Sequence, residues 1–310
     1  MPHKELVIVL TLLVPGLTSG QVDEPKTARD YYERGCVHER NKQAAEAFAD
    51  YSKTVELDPK FIDAWFTRSS LYAVRKEYAK AIDDLTKVIQ SKPGDYPALF
   101  NRGLYHEYIR DYDKAIADYS DVLDGHADFS RSGSSNAADL AHTYHYRGRV
   151  YHWYKHDYAN AVADYTMALE LDPKIEMVHF RRGDAYHALA IYGKSEEDYV
   201  AALARDPEYP NLLNSWAWQL ATCPDPKFRD GKRAVEMATK ANQKFGWKIS
   251  GHVETLAAAY AENSQFDEAI KWEKKALELL DIKDVEQRKA MQERVELYQA
   301  GRPFREGSPR

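Results

Sequence analysis

The sequence predicts an all-α fold, an α-solenoid of about seven helix-turn-helix units closed by a C-terminal capping helix. Three observations predict it. A small residue, an alanine (once a serine) twelve or thirteen positions later and a large residue four beyond that recur along the chain. Prolines stand where units should end, at Pro59, Pro93, Pro173 and Pro207, and proline cannot continue a helix. Apolar residues make up 44% of the 310 residues, enough for a continuous core.

The stretch Tyr144 to Pro173 is the clearest copy: two amphipathic segments, a short turn and a closing Leu-Asp-Pro. Across five copies the small residues are Gly35, Ser69, Gly103, Gly148 and Gly183, at intervals of 34, 34, 45 and 35 residues. Second-helix anchors follow as Ala47 with Tyr51, Ala81 with Leu85, Ala115 with Tyr119, Ala161 with Tyr165, and Ser195 with Tyr199. Tyr31, Trp65, Leu99, Tyr144 and His179 stand four before the small residue. The small residues let two helices approach closely, and the large ones fill the space beside them.

These residues resemble the tetratricopeptide repeat (TPR) family, whose 34-residue pattern is W-x2-L-G-x2-Y…A-x3-F…P. The resemblance implies a right-handed solenoid in which first helices line a concave groove and bind protein or peptide. Residues 21–282 are expected to form the array, with units about 28–61, 62–95, 96–129, 141–175, 176–209, 210–249 and 250–283. The sixth carries a longer loop fixed by Pro224 and Pro226, with Asp230 placed to cap the helix that follows. The seventh keeps Ala257, Tyr260, Ala269 and Ala276 in register. Residues 130–140 are an insertion whose Ser/Gly part reads as a flexible loop, with Asn136 placed to cap a helix running through Tyr151. Residues 284–310 read as a capping helix, carrying Val285, Met291, Val295 and Leu297, and a loose tail from Gly301.

Residues 1–20 form a different kind of segment. Lys4, an apolar run from Leu6 to Val14, then Thr18, Ser19 and Gly20 read as an export signal, which places the protein in the periplasm or cell envelope. An uncleaved anchor is the alternative, and the only membrane contact expected. A net charge of −6 with mixed signs gives no footprint for nucleic acid. Cys36 and Cys223 read as small fillers.

Arg34, Arg68, Arg102, Arg147 and Arg182 precede the small residues, and Asp50, Asp84, Asp118, Asp164 and Asp198 precede the second-helix anchors. They are expected as ion pairs holding helices in register rather than as a binding ladder. Gly193-Lys194-Ser195 imitates a phosphate loop, but Ala188 replaces its first glycine and no strand precedes it. No catalytic motif is present, and neither an enzyme activity nor a cofactor is expected.

Candidate binding residues come from offsets −6, −3, +1 and +4 around each small residue. The −3 row reads Tyr32, Phe66, Phe100, His145, Phe180 and Asn214, which suits an extended peptide or a helix; alternatively these rings pack between helices. In the fourth unit His142, His145, Arg149 and His152 share a helix face, with Trp153 beside them, His156 a turn on, and Tyr108 and His187 in neighbouring units. That patch is a solvated face, a groove centre taking an acidic partner group on Arg149, or a metal- or anion-binding module. The resemblance also implies that the carboxylate clamp of chaperone-binding relatives is absent, since the first unit offers Arg29, Tyr32, Cys36 and Glu39. The expected function is a non-enzymatic protein- or peptide-binding scaffold. A recognition subunit for an enzyme on another chain is a weaker alternative.

Overall fold

The computed structural model describes residues 25–125 and 136–307; the expected signal and most of the expected insertion lie outside the described residues. Among the described residues every regular element is a helix, as predicted, and no helix is long and apolar enough to cross a membrane. The chain falls into two compact units, one of residues up to 157 with 170–173, the other of 158–169 with 174 onward.

The first unit holds α1 (Ala28–Arg40), α2 (Ala44–Leu57), α3 (Ile62–Val74), α4 (Tyr78–Ser91), α5 (Tyr96–Tyr108), α6 (Tyr112–Gly125) and α7 (Asn136–Val150). The second begins with most of α8 (Tyr158–Leu171). It continues with α9 (Val178–Ala188), α10 (Tyr192–Leu203), α11 (Pro210–Thr222), α12 (Gly231–Lys244), α13 (Ser250–Glu262), α14 (Phe266–Leu279) and α15 (Val285–Gln299). Asp230 caps α12 as expected, accepting a hydrogen bond from the Arg233 amide at 3.0 Å.

Three of the small residues each face a tyrosine ring across the hairpin. A Cβ on Gly35, Gly103 or Gly183 would stand 2.6, 2.9 or 2.8 Å from a ring carbon of Tyr51, Tyr119 or Tyr199, each ring fully buried. In the second repeat the corresponding pair is Ser69 and Leu85, both fully buried, so a larger first-helix residue goes with a smaller anchor.

The arginine–aspartate series is internal to the repeats. Arg34–Asp50, Arg68–Asp84, Arg102–Asp118 and Arg182–Asp198 each form two-pronged pairs, with closest contacts of 2.5, 2.8, 2.6 and 2.7 Å. Arg147 donates to Ser120 Oγ at 2.9 Å. Cys36 is half-buried, Cys223 is buried, and both are free.

First helices end in a left-handed residue seven positions past the small residue: Lys42, Lys76, Arg110, Ala190 and Ser264, all with φ between 58° and 64°. The next amide then bonds five residues back, as in Gln43 to His38 at 2.8 Å and Ile191 to Tyr186 at 2.9 Å. In the fourth repeat the left-handed residue is His156, eight past Gly148, and the Asp157 amide bonds six back to Tyr151 at 2.9 Å. The extra residue is taken up by a π turn, Tyr151–Lys155, that extends α7 beyond the predicted end at Tyr151.

Two expectations fail at the C-terminus. The buried stripe of α15 is Met291, Arg294 and Tyr298, whereas Val285 is 69% exposed. Arg294 pairs with Glu273 at 2.9 Å and with Glu254, so a buried Glu–Arg–Glu cluster anchors the capping helix. The tail is not loose over its described part: Phe304, Arg305 and Glu306 are half-buried against the second unit, held by contacts described below.

Candidate functional site

In the first unit the predicted patch is carried by α5, α7 and the π turn. Phe100 is 1% exposed, wedged between Tyr119 and Tyr146 with ring centroids 5.6 and 5.2 Å away. It is a core side chain and offers a partner no surface. Phe66 is half-buried, and Tyr108 rests on Tyr78 at 4.7 Å. His142 and His145 are half-buried and His152 is buried.

Arg149 does not present the open charge that the acidic-partner alternative requires. Its guanidinium donates to Glu107 Oε2 at 2.7 Å and lies 4.4 Å from the Tyr146 ring centroid. The other Glu107 oxygen accepts from Tyr119 Oη at 2.7 Å, and burial pushes that phenol's pKa well up, with Glu107 adding to the effect. Arg149 is therefore an internal cation closing a buried Tyr–Glu–Arg chain. The exposed part of the patch is His156 with Trp153, 41% accessible, and Tyr154, 44% accessible and stacked on Tyr112 at 4.1 Å. Lys155 pairs with Asp113 at 2.6 Å beside them. Among the described residues no three His, Cys, Asp or Glu side chains converge as a metal site, so the metal alternative finds no ligand set.

In the second unit Phe180 is 6% exposed and packs on Tyr209 at 5.4 Å, again as core. Asp184 takes the hydrogen bond of Tyr199 Oη at 2.8 Å, and burial raises its pKa to about 7. His187 lies on the face the offsets predicted, but this face is occupied by the chain's own C-terminal segment. His187 Nε2 stands 2.9 Å from Glu306 Oε2, and Trp218 Nε1 donates to Glu306 Oε1 at 2.5 Å. A carboxylate only accepts, so His187 carries its proton on Nε2. Burial lowers the His187 pKa despite the Glu306 charge, which keeps the imidazole neutral near pH 7.

The two residues before Glu306 are equally specific. Arg305 pairs with Glu262 and donates to the Ala221 carbonyl at 3.1 Å. Phe304 stands 6.0 Å from the Trp218 ring and 5.2 Å from the Arg294 guanidinium. A cavity of about 770 Å³ opens beside the segment, lined by Glu293, Arg294, Leu297, Arg302, Phe304 and Arg305 among others.

Glu107, Trp218, Glu262 and Glu306 were not singled out from the sequence. Trp218 follows Ala217 at offset +1 and Glu107 follows Gly103 at +4, so the same offsets point to both. Nothing in the spacing pointed to the tail.

The model for the tetratricopeptide repeat matches residues 32–96 and 150–210. No curated protein gives a significant sequence match. Among solved structures, a tetratricopeptide repeat protein from Parabacteroides merdae aligns with a TM-score of 0.55 at 13% identity, over 88% of this chain and 98% of its own. PilF of Pseudomonas aeruginosa aligns at 0.55 and 18% identity, over 71% of this chain and 92% of its own. MamA of Desulfovibrio magneticus RS-1 aligns at 0.51 and 16% identity, over 60% and 98%. At such identities these structures speak to the fold. The matched segments are tetratricopeptide repeats, and with the repeat geometry above they support a tetratricopeptide repeat protein, whose fold these structures share.

Proposed function

We propose that the chain is a non-catalytic scaffold that binds an extended stretch of protein through the faces of its first helices. One observation carries this reading: the α9, α11 and α13 face already holds a non-helical segment, Phe304 to Glu306, through its side chains and one backbone amide. In the first unit, exposed Trp153 and half-buried Tyr108 are candidates for the same work.

Selection from a displayed peptide library against the full-length protein tests the reading. Binders should weaken about tenfold or more with Trp218→Phe or with Trp153→Ala/Tyr108→Ala, a loss of about 1.4 kcal/mol. Binders indifferent to both changes, in variants that keep their helical content, contradict it.

The same proposal places the protein outside the cytoplasm, in the periplasm or envelope, on the strength of residues 1–20. The mass of the N-terminal peptide from the envelope fraction tests this. Cleavage near Gly20 supports it, and an intact N-terminus on cytoplasmic protein contradicts it.

A further inference from the structure

We infer that the second unit's first-helix face is a docking surface for an extended peptide bearing an aromatic residue, an arginine and an acid in succession, and that Phe304-Arg305-Glu306 is its internal competitor. The inference rests on the scaffold reading and adds the partner's chemistry and a means of regulation.

The face is built for those groups in that order. The last carbonyls of a helix have no partner within it. In α11 the Gln219 carbonyl is taken by the Cys223 amide at 3.0 Å and the Leu220 carbonyl by the Asp230 amide at 3.0 Å. The next two, Ala221 and Thr222, are satisfied by the tail: the Arg305 guanidinium at 3.1 Å and the Glu306 amide at 3.1 Å. A guanidinium at this end also suits the negative pole of the helix. Glu262 supplies the countercharge for the arginine. The indole N–H of Trp218 and the imidazole N–H of His187 converge on one carboxylate, and the Trp218 ring faces the aromatic residue. A backbone amide is among the required donors, so the ligand is a peptide rather than a small anion.

The occupant is suited to leave. Only Ala300 to Pro303 join α15 to Phe304, Gly301 sits at φ +64°, and no described tail residue belongs to a helix or strand. Half-buried segments held by polar contacts open at much lower cost than core helices. Tethering gives the tail an effective concentration on the order of millimolar, so it screens the face against weak competitors while present.

The test uses a fluorescein-labelled peptide of residues 302–307, Arg-Pro-Phe-Arg-Glu-Gly, and three full-length proteins followed by anisotropy. Phe304→Ala/Glu306→Ala should bind it at least about tenfold more tightly than the wild type. Adding Trp218→Phe to that variant should weaken binding again. In the wild type, excess peptide should speed tryptic cleavage after Arg305. Equal binding by wild type and released variant, or no binding by a folded released variant, overturns the inference. Repeating the display selection on the released variant separates the two readings. Trp218-dependent binders of unrelated chemistry, or binders that depend only on Trp153 and Tyr108, would leave the scaffold standing and sink this inference, whereas binders indifferent to both sets of changes would sink both.

Discussion

Tyr119 lies against Gly103 so closely that a methyl group there would stand 2.9 Å from the ring, and the ring is fully buried with its hydroxyl on Glu107. This contact fixes the distance between α5 and α6, and the same relationship recurs at Gly35–Tyr51 and Gly183–Tyr199. Gly103→Ala should therefore destabilise the protein by about 1–3 kcal/mol, since a trapped ring must shift. In a Tyr119→Leu background, which imitates the Ser69–Leu85 pair, the same alanine should cost under about 0.5 kcal/mol. Denaturant melts of the four proteins measure the coupling, and additive losses would refute the close contact.

Ala190 holds a left-handed conformation at φ 58° with an exposed side chain. Glycine adopts that conformation freely, whereas residues with a Cβ are penalised. Ala190→Gly is expected to raise stability by about 1 kcal/mol in thermal or denaturant melts. A loss would mean that α9 does not end in this turn.

Arg149 answers Glu107, whose side chain is 4% accessible. Arg149→Ala leaves that carboxylate without its cation and should cost about 3–5 kcal/mol. Arg149→Met combined with Glu107→Met should recover most of the loss, because no buried charge remains unpaired. If the double variant is no better than the single, the pair is not the reason Arg149 matters.

Glu273 shares Arg294 with Glu254, and burial raises its pKa from 4.5 to about 8, with the Arg294 charge opposing and the Glu254 charge reinforcing the rise. A carboxyl whose pKa is higher folded than unfolded binds more protons folded. Its contribution is fully present below about pH 4.5 and is lost as pH rises through about 8. Melting temperature should accordingly fall over that window. Glu273→Gln should flatten the dependence there, and an unchanged profile would contradict the assignment.

The repeat framework was legible because it depends on short-range steric rules: a small residue opposite a large one, a proline at the end of four units, an arginine sixteen residues before its aspartate. Those rules operate inside one hairpin. The site was less legible because its partners come from distant sequence. Arg149 looked like an open cation until Glu107, 42 residues earlier, was found beside it. Phe100 and Phe180 looked like groove aromatics, but the helices around them close over the rings. His187 stands at the +4 offset on its first helix, yet Glu306 lies 119 residues away, in a segment whose composition suggested no structure. The π turn lies between these cases: the extra residue was countable in sequence, but its absorption into α7 was not.

The most direct test of the account is the indole N–H resonance of Trp218 in the ¹H–¹⁵N spectrum of the full-length protein, assigned by its disappearance in Trp218→Phe. Its hydrogen bond to Glu306 places it on the occupied face. The resonance should move in Phe304→Ala/Glu306→Ala and return toward its wild-type position when the 302–307 peptide is added in excess. A resonance that does not move when the tail contacts are removed, or that stays displaced with the peptide saturating, would contradict a peptide-binding face held by its own tail.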